Sequence, residues 1–155
     1  MELTSEDFDD GGTIPASAAD PSVGGAGRSP HLAWSAEPEG TRSFALTCWD
    51  PDAPTTVGFT HWVRFDIPTS LRHFDAGSNA APGQWIDGIT DIGETHYTGM
   101  APPAGDEPHH YIFTLYALKT DKLDVPAAAT AAYVGFNVHA NVLGSATFTA
   151  LYARP

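Results

Sequence analysis

The run Asp50-Pro51-Asp52-Ala53-Pro54 stands between two stretches of different character. Ahead of it, Phe44-Ala45-Leu46-Thr47-Cys48-Trp49 is apolar and strand-forming, and behind it Phe59-Thr60-His61-Trp62 opens a segment that alternates as far as Ile67. Farther on, Pro102-Pro103 precedes His109-His110-Tyr111, which heads an aromatic and β-branched run reaching Leu118. Such residues suit a pleated, half-buried surface, so these runs read as strands of one core sheet. Carboxylates, histidines and a tyrosine then fall at strand ends, beside loops whose φ angles proline fixes. That pattern predicts a small polar pocket built on the end of a sheet.

Strand periodicity sharpens the expectation. His109 and Tyr111 share a face that Phe113 and Leu115 carry into the core, with His110 opposite. In the preceding strand, His61, Val63, Phe65 and Ile67 fall on one face and Trp62, Arg64 and Asp66 on the other. Imidazole N–H, phenol O–H and loop backbone N–H groups are all donors, which suits a small anion. Asp50 or Asp52 would accept from an imidazole, fix its tautomer and raise its pKa.

The 155 residues carry 19 Asp and Glu against 7 Lys and Arg, for a net charge of −12. A surface of that sign repels nucleic acid and anionic membranes, which argues against DNA binding and stable membrane attachment. Few lysines (Lys119 and Lys122) among much Ala, Thr and Gly also fit adaptation to high salt. No apolar run reaches the roughly 18 residues of a membrane span. The acidic start Met1-Glu2-Leu3-Thr4-Ser5-Glu6-Asp7 does not read as a secretory signal, so a cytoplasmic location is expected. The lone Cys48 lies mid-strand and reads as a buried, inert thiol.

No repeat or linker divides the chain, so one domain over residues 1–155 is expected, with an irregular N-terminal segment to about residue 28. Short helices are expected at Ala127 to Tyr133, after Pro126, and at Phe136 to Leu143, with a closing strand from Ala146 to Ala153. Many strands, long loops and one or two short helices make a β-dominated domain.

In this order, the Asp-Pro-Asp-Ala-Pro element, the histidine before an aromatic at His61-Trp62, and the loop from Gly99 ending in His109-His110-Tyr111 resemble the phosphatidylethanolamine-binding protein family. That family includes the Raf kinase inhibitor proteins and bacterial and archaeal members. Ser29-Pro30-His31-Leu32-Ala33-Trp34 and Gly40-Thr41-Arg42-Ser43 look like its bacterial branch, and the resemblance runs from about residue 10 to the end. It implies a large, mainly antiparallel sheet packed on a smaller one with peripheral helices. It also implies a pocket for phosphate or phosphorylated headgroups formed by Asp50, His61, His109 and Tyr111. The walls would be Pro54, Phe59, Trp62, Gly99, Ala101 and Pro102. Kinase or protease inhibition through protein contacts, and homodimer formation, are further implications. Two departures stand out: His110 replaces the usual arginine, and Met100-Ala101 replaces a common Pro-Cys that would hold the loop more tightly.

No catalytic residue, metal or cofactor is assigned. Two other readings use the same residues: a metal-dependent or His/Asp hydrolytic enzyme, or an interaction module whose pocket is vestigial. No Gly-x-Ser-x-Gly nucleophile elbow occurs.

Charge alone generates one prediction. Nineteen acidic groups against seven basic ones repel each other more when folding gathers them, and few cations exist to form pairs that salt would weaken. Screening length falls from about 10 Å at 0.1 M to about 3 Å at 1 M salt. Thermal melts in rising chloride should therefore show an increasing Tm; a flat or falling Tm would remove the high-salt reading.

Overall fold

A computed structural model describes residues 1–155. The chain forms β1 (Glu2–Thr4), β2 (Gly12–Thr13), β3 (Leu32–Ser35), β4 (Ser43–Asp50), β5 (Phe59–Pro68), β6 (His73–Phe74), β7 (Ile86–Asp87), β8 (His109–Leu118), α1 (Ala131–Asn141) and β9 (Val142–Tyr152). Six strands make the larger sheet in the order β2-β9-β8-β4-β5-β7, and β1-β3-β6 make the smaller one. All pairings are antiparallel except β2 with β9. The expected architecture, a large sheet on a smaller one with a peripheral helix, is the one observed.

The core divides between the faces of the larger sheet. Phe44, Leu46 and Cys48 of β4, with Phe113 and Leu115 of β8, meet Leu3, Leu32, Trp34 and Phe74 of the smaller sheet. On the opposite face Ala45, Val63, Phe65 and Leu118 pack beneath Val134 and Val138 of α1. Alternation along β4 and β8 follows the pleat, as their sequence predicts.

Strand β5 departs from simple alternation. Its pairing with β4 shifts register between Phe44 and Leu46 and again between Cys48 and Trp49. Each shift inserts an extra β5 residue, and a bulge of that kind turns the following side chains to the other face. Ile67 therefore joins the core cluster that holds Trp62, while Val63 and Phe65 lie in the cluster under α1. One bulge carries Asp66 at φ 53, a left-handed conformation that Asp tolerates, and its Oδ1 accepts the Leu123 N–H at 2.8 Å.

Two expected features take a different form. The segment to residue 28 is threaded by short regular pieces, β1, β2 and two 3-10 turns at Ala16–Ala18 and Pro21–Val23. Phe8, Ile14, Ala18 and Ala19 anchor it in the core; as isolated apolar residues they give no periodicity to read. The two expected helices are one. Ala129 donates to the Pro126 carbonyl, and its own carbonyl accepts from Ile89, so 127–129 is a turn tied to the loop after β7. The helix starts where the Thr130 side chain accepts the Tyr133 N–H, and Val142 and Leu143 belong to β9.

Arg64 is fully buried, an unusual place for a guanidinium. Its Cζ lies 4.3–4.7 Å from the ring centroids of Trp62, Phe74 and Trp85. Asp87 of β7 receives it through two hydrogen bonds, of 2.7 and 3.1 Å. Removing one partner of such a pair strands the other charge in a low dielectric. Asp87→Ala should therefore cost about 3 kcal/mol in urea unfolding. A loss below about 1 kcal/mol would show that water reaches the guanidinium.

Candidate anion-binding pocket

Adjacent strand ends converge because β4 lies between β5 and β8. Asp50 pairs with Phe59 across one neighbour, and Trp49 pairs with Ile112 across the other. The last residue of β4 thus lies between the start of β5, with His61, and the start of β8, with His109 and Tyr111. A cavity of about 330 Å³ opens there, lined by Asp50, Pro54, Phe59, His61, Gly99, Ala101, Pro102, His109 and Tyr111 among others. The rings sit close: His61 is 5.1 Å from Tyr111 at 72° and 4.8 Å from Phe59, and His109 lies 6.5 Å from Tyr111.

Trp62 is the sequence-derived wall residue that does not line this cavity. It is fully buried, edge-on to Tyr97 at 5.4 Å and beneath Arg64. Both it and the Tyr97 it touches belong to the core cluster between the sheets, so its place is in the core behind the pocket. Conversely, Asp20, Ser22, Thr55, Ile92 and Thr98 line the cavity and were not expected. Asp20 and Ser22 arrive from the N-terminal segment, where Asp20-Pro21-Ser22 has a legible turn-capping pattern: Asp20 Oδ1 accepts the Ser22 N–H at 2.9 Å.

Asp50 is almost wholly buried and fully engaged. Its Oδ1 accepts the Asp52 and Ala53 N–H groups at 2.8 and 3.1 Å, and its Oδ2 accepts from His109 Nδ1 at 2.8 Å. The other ring nitrogen of His109, Nε2, lies 3.2 Å from Asp106 Oδ2. Ionised carboxylates only accept, so these two contacts favour the doubly protonated form of the ring. Burial opposes that charge most strongly, but the Asp50 and Asp106 contacts together outweigh it and raise the His109 pKa. Asp52 serves the outer face. Its Oδ2 accepts the His110 N–H at 2.8 Å and lies 2.7 Å from His110 Nδ1, and these contacts lower its pKa.

His61 behaves oppositely. Its Nδ1 is 2.8 Å from the Thr98 carbonyl, which can only accept, so Nδ1 carries the proton. Burial dominates and lowers its pKa, against the Thr98 carbonyl, the charge of Asp50, the Gly99 backbone and the charge of Asp91. Burial also raises the Tyr111 hydroxyl, which is therefore protonated; that hydroxyl is buried and has no hydrogen-bond partner. Cys48 is fully buried, and desolvation, then Asp50, push its thiol well above the ordinary range. No three His, Cys, Asp or Glu side chains converge in a way that would hold a metal ion. No helix is long and apolar enough to cross a membrane.

Comparison with known proteins matches this arrangement of sheets and strand ends to one family. The family model described as phosphatidylethanolamine-binding protein matches residues 4–153, and the chain belongs to that family. The UPF0098 protein YbhB of Escherichia coli is 45% identical, over 99% of this chain and 100% of its own length. The crystal structure of E. coli YbcL, described as a new member of the mammalian PEBP family, superposes with a TM-score of 0.94 at 36% identity, covering 99% of this chain and 98% of YbcL. Carboxypeptidase Y inhibitor, solved with its cognate proteinase, shares the fold at a TM-score of 0.55 and 21% identity, over 99% of this chain and 83% of its own.

The two pocket histidines should titrate apart in an NMR experiment, His109 above and His61 below the ordinary imidazole range. Linkage gives each its sign. His109 contributes stability that is complete below the unfolded pKa of about 6.5 and lost as pH rises through its higher folded value. His61, buried neutral, contributes stability present above that value and lost as pH falls toward its lower folded pKa. Asp50→Asn should bring His109 down, and an unchanged His109 titration would exclude Asp50 as its partner.

Proposed function

We propose that this protein binds a small anion, a phosphate or phosphorylated headgroup, in the pocket formed by Asp50, His61, His109 and Tyr111. The observation that carries the reading is the Tyr111 hydroxyl: buried, protonated, without a partner, and on a residue that lines the cavity. A stranded buried donor costs free energy that a ligand oxygen would recover. His109 beside it is shifted toward its charged form, and Pro54, Pro102 and Pro103 hold the walls with little entropy left to lose. Membership of the phosphatidylethanolamine-binding protein family supports the same ligand class.

Protein contacts would use the same face. Ile92 at the pocket wall and Val57 in the loop after Pro54 are 61% and 72% exposed, so an occupied pocket would present its ligand within an apolar rim. A kinase or proteinase inhibited by this protein would dock there. Inhibition of a proteinase is a role of the carboxypeptidase Y inhibitor that shares the fold.

Calorimetric titration with inorganic phosphate tests the pocket. Wild-type protein should bind, and Tyr111→Phe should bind about tenfold more weakly, since it removes one buried hydrogen bond and little volume. The variant should melt no lower than wild type, because the hydroxyl it lacks has no partner in the free protein. Equal affinity in the two proteins would take Tyr111 out of the site.

A further inference from the structure

Hydrogen-bond accounting inside the pocket shows which atoms a ligand can meet. Of the five buried polar side chains there, Thr98 pairs its hydroxyl with that of Thr90, and His109 meets Asp50 and Asp106 through its two ring nitrogens. Asp50 receives the backbone of Asp52 and Ala53 on one oxygen and His109 on the other. That leaves the Tyr111 hydroxyl, which has no partner, and His61 Nε2. Because His61 Nδ1 spends the proton on the Thr98 carbonyl, Nε2 of the neutral ring presents a lone pair. The two rings are edge-to-face with centroids 5.1 Å apart, and both residues line the same cavity. Among these buried side chains the free atoms are one donor and one acceptor, and a ligand that offers the converse pair satisfies both.

We propose that the pocket selects oxyanions that keep a proton, namely phosphate and monoanionic phosphomonoesters, over proton-free oxyanions of the same shape such as sulfate, with His61 as the residue that reads the proton. This rests on the anion-pocket reading above and names its ligand class more narrowly. A P–O–H group donates to His61 Nε2 while a second phosphoryl oxygen accepts from the Tyr111 hydroxyl. Sulfate at neutral pH brings only acceptors, so one of its oxygens would face the Nε2 lone pair with no proton between them. It could bind only if His61 took up a proton. The groups facing that ring are Asp50 from β4, Asp91 from the loop after β7, and Tyr111 from β8, with His109 beside Tyr111. Both nearby carboxylates favour such a proton, and burial of the ring opposes it more strongly. Phosphodiesters have no proton to give. Monoesters lose theirs above a second ionisation at about pH 6, whereas inorganic phosphate keeps one throughout the neutral range.

Calorimetry on the whole chain at pH 7, with potassium phosphate and potassium sulfate at matched ionic strength, tests the proposal. Phosphate should bind at least about tenfold more tightly, the usual consequence of facing a buried acceptor with no donor. In His61→Gln the amide can turn either its N–H or its oxygen to the ligand, so the ratio should collapse toward one. Nitrogen-15 NMR of the ligand-free wild-type protein gives a second readout that needs no variant: at pH 7 His61 Nε2 should show the shift of an unprotonated nitrogen. A protonated Nε2, or equal affinity for the two anions, overturns the proton reading and leaves the anion pocket intact. Binding of neither anion overturns the pocket and the proposal together.

Discussion

The carboxylate of Asp50 is the contact on which the site and its surrounding loops depend. Two per cent exposed, it takes two backbone N–H groups of its own loop on one oxygen and His109 Nδ1 on the other. Those donors replace the water that burial removed, which is the condition for keeping a carboxylate inside a protein. They also fix three things together: the turn after β4, the end of β4 against β8, and the rotamer of His109. The return to β5 is equally constrained. A Cβ at Gly58 would come within 2.5 Å of the Asp50 carbonyl oxygen, and φ there is +72°. Asp50 to Gly58 is thus a loop wrapped around one charged group.

Charge in the pocket is arranged differently from what paired histidines imply on their own. A simple expectation has both imidazoles gaining protons as pH falls and attracting an anion together. Instead, Asp50 and Asp106 raise the pKa of one ring, while burial lowers that of the other. Environments that push two like groups apart assign them different tasks. Here His109 is shifted toward its charged form and His61 toward its neutral form. The −12 net charge of the chain adds a repulsive background that a ligand meets before it reaches His109.

Strands with clean alternation were legible from the sequence, and so were the residues that hang from them. Along β8 the two-residue period placed His109 and Tyr111 on one face, and the structure brings them to one cavity with Asp50 at the end of β4. Strand β5 was misread beyond His61, because two bulges switch faces and nothing in Phe59 to Ile67 announces an inserted residue except Asp66 at its left-handed position. Trp62 was placed in the wall by the family resemblance, although alternation set it on the face opposite His61. The N-terminal contribution was invisible, since Asp20 and Ser22 reach the pocket through tertiary packing of a segment without periodicity. Asp106 was missed because a carboxylate three residues before a histidine in a Gly-Pro loop has no signature of its own. The helix boundary failed where a tertiary hydrogen bond, Ile89 to Ala129, outweighed the helix propensity of alanine.

The wall formed by residues 98–103 shows how a departure from a family's usual residues is absorbed. Met100 in place of proline removes a fixed φ, which alone would loosen the loop. The side chain is instead fully buried, 2.9 Å from the Tyr97 hydroxyl, and that hydroxyl also donates to the Ala18 carbonyl. Met100 keeps a backbone bond as well, since its carbonyl accepts the Asp20 N–H at 3.0 Å. Gly99 permits this approach, because a Cβ there would collide with the backbone of Ala19 and Asp20. From the other end of the chain, Arg154 donates to the Pro102 carbonyl at 3.0 Å, and its own carbonyl accepts from Gly105. Packing against both ends of the chain thus replaces the rigidity a proline would have supplied. The pocket is preorganised by tertiary contacts that also complete the fold.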